Sequence, residues 1–112
     1  MKITPLTLTD MSIESESLVM LARDARHIVM PLAGYNARKP MVFDDNDVKA
    51  NLEKVWVGYQ NIDERRTLDG GRSLMTGDIA KVENNNENSW WVCCSMGWAQ
   101  TFEPGTEIQR IG

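Results

Sequence analysis

His27, Cys93 and Cys94 are the side chains whose types could do nucleophilic or metal chemistry, and their spacing supports neither. Neighbouring residues of a strand point to opposite faces, so the two thiols cannot work as a pair, and a disulfide between them would strain the backbone. A zinc site needs thiols or imidazoles at spacings such as Cys-x-x-Cys, and the chain has no such pair and one histidine. The expectation is one thiol buried as a small hydrophobe and the other on the opposite face, both reduced, with no metal and no cofactor. His27 belongs to no nearby Ser, Cys or Asp arrangement of a catalytic kind, and Cys–His catalysis would require the fold to bring it to a thiol. Carboxylates are plentiful, as in any acidic chain, and single out no acid–base pair. Gly70-Gly71-Arg72-Ser73 invites a phosphate-binding reading. A phosphate loop, however, sets its glycines between a strand and a helix, with a lysine after them. Here they lead towards a strand, so a flexible turn is expected and catalysis is not.

What remains is residues suited to binding. The chain has four tryptophans, Trp56, Trp90, Trp91 and Trp98. Read as one strand from Trp90 to Gln100, alternation puts Trp90, Val92, Cys94, Met96 and Trp98 on the core face. Trp91, Cys93, Ser95 and Gly97 then face away, where Trp91 either covers another element or lies exposed. An exposed indole anchors protein interfaces well. The acidic corner Asp44-Asp45-Asn46-Asp47 is the other candidate surface, so the predicted partner-binding residues are Trp91, Asp44, Asp45 and Asp47.

These residues must be positioned by a short series of elements. Lys2–Thr9 alternates apolar and polar residues and reads as an edge strand, because Pro5 cannot donate to a ladder. Leu18, Leu21, Ala22, Ala25, Ile28 and Val29 form a helical stripe, with Ser12 or Ser15 as cap, although His27–Leu32 also reads as a strand. Ala33–Pro40 is a loop by composition, and Met41-Val42-Phe43 a brief strand. A second helix takes Asp45 or Asn46 as cap and buries Val48, Leu52, Val55, Trp56 and Tyr59, ending near a left-handed Gly58. Residues 61–71 read as an exposed loop. A β-hairpin follows: Ile79–Val82, a turn over Asn84–Asn88, and Trp90–Gln100. Thr106–Ile111 could add a last short strand. The predicted fold is therefore α+β, two helices packed on a small, mostly antiparallel sheet with a C-terminal β-hairpin.

The chain is 112 residues long, which suits one domain over residues 1–112. A formal charge of −4 opposes a sequence-independent grip on nucleic acid, so no direct DNA binding is expected. No apolar run has the ~18 residues a membrane helix needs, and the first residues have no signal-peptide pattern. With reduced thiols, this gives an expected cytoplasmic location without membrane contact.

Three separated blocks carry a family likeness: Tyr59-Gln60-Asn61-Ile62-Asp63, then Gly71-Arg72-Ser73-Leu74-Met75-Thr76-Gly77-Asp78-Ile79, then Trp91-Val92-Cys93-Cys94-Ser95-Met96-Gly97-Trp98. In order and spacing they resemble the YodL-like small domains of bacterial, plasmid and phage accessory proteins. The resemblance covers residues 48–100 and leaves 1–47 unassigned. It departs at Met75-Thr76, where the family pattern has a smaller pair, and in a longer Asn-rich turn. The residues that carry it, Asn61, Asp63, Arg72, Ser73, Gly77, Asp78, Gly97 and Trp98, have structural work available. Gly77-Asp78 can turn into a strand with the carboxylate taking backbone donors, Arg72 can pair with Asp78 or Asp63, and Asn61 and Asp63 can bridge helix and loop.

The resemblance implies no enzyme activity or cofactor. It implies an accessory protein of a phage or plasmid that binds and modulates or inhibits a host protein, such as a component of a bacterial defence system. The alternative expectation is an acidic DNA mimic, or a protein tied to nucleic-acid machinery.

Overall fold

In the computed structural model, the residues described are 1–8, 35–62, 64–94, 97–101 and 103. They build a six-stranded antiparallel sheet and one helix. The strands are β1 (Lys2–Leu8), β2 (Tyr35–Ala37), β3 (Met41–Val42), β4 (Ile79–Asn84), β5 (Glu87–Cys94) and β6 (Gly97–Thr101), and the helix α1 is Val48–Gly58. This corrects the expectation of two helices on a small sheet: strands dominate, and α1 is the one helix among the described residues. The stripe from Leu18 to Val29, the His27–Leu32 alternative and the Thr106–Ile111 strand lie outside the described residues.

The sheet runs β2-β1-β4-β5-β6, with β3 also on β1. So β1 is interior and not the edge that Pro5 suggested. Leu6–Leu8 pair with β2, Lys2–Ile3 pair with β3, and the other side of β1 pairs with β4 from Lys2 to Leu6. The Pro5 carbonyl accepts from the Arg38 amide at 2.8 Å. The Pro5 nitrogen therefore faces the break between β2 and β3, where a missing N–H leaves no ladder bond unmade.

The carboxylate of Asp47, one residue beyond the expected caps, accepts from the Ala50 amide at 3.1 Å and starts α1. Asp45 instead accepts from the Asp47 amide and from the Asn51 side chain. The predicted stripe holds: Leu52, Val55 and Tyr59 are fully buried, with Val48 and Trp56 packed beside them. Gly58 is the last helical residue and not a left-handed cap. A Cβ there would meet Met41 Sδ at 3.4 Å, an ordinary contact, so β3 packs close to this end of α1.

The hairpin β4–β5 turns on Asn85 and Asn86, with φ of 51° and 66°. Asn84 pairs with Glu87, so the turn is two residues long and sets the register, where five had been expected. The run Trp90–Gln100 is also two strands. Cys94 pairs with Gly97 and Cys93 with Trp98, so the chain reverses between them.

That reversal shifts the alternation. On the helix side, Ile3, Ala80 and Val82 join Leu52, Val55, Tyr59 and Leu74 in one core, and Trp56, Trp91 and Trp98 pack against it. On the opposite face Ile79, Val92 and Cys94 form a second cluster with Leu6, Tyr35, Trp90 and Ala99. Trp91 is thus on the helix side and half-buried, its indole N–H donating to Ser89 at 3.0 Å, while Trp90 takes the other face under Lys81.

Valine in place of Asn86 should cost about 1–2 kcal/mol, because a β-branched residue resists the left-handed region. Glycine there should cost nothing or add stability. Urea unfolding followed by tryptophan fluorescence separates the two.

Candidate functional site

One cleft gathers residues from four segments. It lies between α1 and the β5–β6 end of the sheet, has a volume of about 360 Å³, and is lined by Glu53, Trp56, Thr76, Cys93, Cys94, Gly97 and Trp98. Glu53 and Trp56 stand three residues apart on α1 and so share a face. Cys93 and Trp98 are directly paired across β5 and β6, which puts both on the helix side. Gly97, at φ 117°, has open space where a Cβ would sit.

Thr76 is brought to the cleft by the turn before β4. The Gly77 amide donates to the Cys93 carbonyl at 2.9 Å, and the Cys93 amide donates to the Asp78 carbonyl at 2.8 Å. The turn itself is held by the Asp78 side chain. This fully buried carboxylate accepts from the Leu8 amide at 2.9 Å, the Met75 amide at 2.8 Å, and both terminal nitrogens of Arg72 at 2.8 Å. Arg72 also donates to the Leu8 and Ser73 carbonyls. Of the two partners expected for Arg72, the structure therefore places Asp78; Asp63 is outside the described residues.

Asn61 bridges helix and loop as expected. Its amide donates to Ser73 Oγ at 2.7 Å, its side chain donates to the Gly71 carbonyl, and its side-chain oxygen accepts from the Thr67 amide. A cluster missed from sequence closes the same loop. Arg38 grips Asp69 with Nε and Nη2, each at 2.6 Å, and lies over the Tyr59 ring. The Arg38 hydrogen bond is the main cause holding the Asp69 carboxyl well below the usual carboxylate range. Gly71 leaves the room: a Cβ there would fall 2.5 Å from Arg38 Nη2. No local pattern links Arg38 to Asp69, 31 residues apart.

Cys93 and Cys94 are both free and buried, on opposite faces of the sheet as expected. The Cys93 thiol is pushed up to about 12, mainly by burial and then by the charges of Asp78, Cys94 and Glu53. It stays protonated near neutrality, which makes it a poor nucleophile. His27 is outside the described residues. The predicted partner-binding residues are not brought to the cleft: Asp45 and Asp47 serve the start of α1, Asp44 is exposed beside them, and Trp91 packs on the core. Gly97 and Trp98, singled out as structural, do line it.

Among the described residues, no group of three or more His, Cys, Asp or Glu side chains is placed to hold a metal ion. None of their helices is long and apolar enough to cross a membrane. Compared with protein-family models, curated proteins and solved structures, the chain matches none. The YodL-like resemblance rests on its three blocks of residues.

The Cys93 thiol makes a testable reporter. In a Cys94→Ala background at pH 8, its thiolate fraction should be roughly a thousandfold lower in the folded chain than in urea. Iodoacetamide should label it correspondingly slowly. Because the raised value favours the folded state's protonated thiol, the stability it contributes is complete below pH ~9 and is lost as the pH rises towards 12.

Proposed function

We propose that the chain is a binding protein that works through the cleft between α1 and the β5–β6 end, and that it is not an enzyme. The observation that carries this reading is the make-up of the cleft. Two half-buried indoles, Trp56 and Trp98, line a concavity within the ~300–1,000 Å³ range of ligand-holding clefts. The strongest nucleophile in its lining, the thiol of Cys93, is buried and held protonated. Aromatic side chains in a concave setting supply binding energy at low entropic cost, because each loses few rotamers on contact.

The YodL-like resemblance supports the biological setting: an accessory protein of a phage or plasmid acting on a host protein, such as a defence-system component. Gly97 and Trp98 belong both to that resemblance and to the cleft.

Glu53→Arg is the discriminating variant, since residue 53 is exposed on α1 and the change leaves the core untouched. Affinity capture from bacterial lysate, read by mass spectrometry, should recover a partner with the parent chain. Glu53→Arg should lose that partner while keeping the parent's thermal melt. Equal recovery by both chains, or none by either, contradicts the reading.

A further inference from the structure

We propose that the cleft takes a cationic side chain, the guanidinium or ammonium group of a partner protein's arginine or lysine, held between Trp56 and Trp98 with Glu53 as counter-charge. The proposal deepens the binding reading above and rests on it.

Charge complementarity selects this occupant. Among the described residues that line the cleft, Glu53 is the one charged side chain, and the chain carries a net −4. A cation entering it therefore meets attraction and no lining cation. Indole faces carry negative quadrupole density, and tryptophan is the strongest aromatic partner for a cation. The fold places one indole on each wall, Trp56 on α1 and Trp98 on β6, with Glu53 three residues before Trp56 on the same helix face. An anionic occupant would be repelled by Glu53.

Among the described residues, cations of this chain sit over rings in three places outside the cleft. Arg38 sits 5.0 Å from the Tyr59 ring centre, Lys54 5.8 Å from Phe43, and Lys81 5.4 Å from Trp90. In the cleft the rings and the carboxylate are assembled without a lining cation among the described residues. Gly97 leaves a side open, since a Cβ there would meet nothing within 4 Å. Thr76 adds a hydroxyl for one N–H of the guest. The Cys93 thiol remains neutral and contributes an apolar surface.

The test compares N-acetyl-arginine methylamide with its citrulline counterpart, which has nearly the same shape and no charge, and with N-acetyl-lysine methylamide. The full chain is labelled with nitrogen-15, and the indole N–H resonances are assigned with single Trp→Phe variants. The arginine or the lysine derivative should shift the Trp56 and Trp98 indole signals saturably, in the millimolar range. Citrulline should bind about tenfold more weakly, Glu53→Gln should weaken the cation severalfold, and added salt should weaken it further. Which cation binds more tightly identifies the partner's side chain. Equal affinity for arginine and citrulline, no effect of Glu53→Gln, or shifts confined to Trp90 and Trp91 would each overturn the proposal. If partner capture still depends on Glu53 while arginine and citrulline bind alike, the binding reading stands and the cationic occupant falls. If capture ignores Glu53→Arg, the underlying reading falls.

Discussion

A buried carboxylate is tolerable only when its lone pairs are met, and Asp78 is met from three directions. The Leu8 amide comes from β1, the Met75 amide from the preceding turn, and the Arg72 fork from the loop. Regular pairing between β1 and β4 stops at Leu6 and Ile79. Beyond it the Asp78 side chain accepts the Leu8 amide and Arg72 donates to the Leu8 carbonyl. Two side chains thus take the place of the next strand residue, and both the amide and the carbonyl of Leu8 are satisfied where the ladder stops. Removing either partner would strand the other's charge or leave buried donors open, so the pair acts more through the cost of its loss than through net gain.

From this junction the structure passes directly to the cleft. The same turn that carries Asp78 exchanges backbone hydrogen bonds with Cys93, which places Thr76 beside the thiol and opposite α1. The loop preceding it is held by Asn61, Ser73, Thr67 and the Arg38–Asp69 pair. A concave surface on a sheet end held this way is largely preformed, which spares a ligand the cost of ordering it. Asn61, Arg72, Ser73 and Asp78 therefore act at a distance from the cleft, as its supports, while Gly97 and Trp98 stand in its wall.

The two faces of the sheet divide the tryptophans. Trp91 and Trp98 share the helix side because the β5–β6 reversal changes the parity of the chain, so an odd-numbered strand residue meets an even-numbered one. Trp90 falls on the opposite face with Val92 and Cys94. Counting straight through from Trp90 to Trp98 puts these two together and separates Trp91 from Trp98, the reverse of what is found. Gly97, left-handed at the start of β6, was the local sign of the reversal. Strand formers on both sides hid it.

Local chemistry alone determined a good deal of this protein. The α1 stripe from Val48 to Tyr59 follows from helical spacing and the hairpin after Ile79 from strand formers around an asparagine turn, while opposite charge narrowed the partner of Arg72 to Asp78 or Asp63. The opposite facing of Cys93 and Cys94 follows from the two-residue period of a strand. Tertiary structure alone decided that β1 is interior, that Tyr35–Ala37 is a strand although its composition reads as loop, and that Arg38 meets Asp69. It also decided the cleft, whose walls come from residues 53–56, 76, 93–94 and 97–98. Periodicity and turn chemistry act over a few residues and are written in the chain. Which strands become neighbours, and which side chains converge across forty residues, depends on how those pieces bury one another.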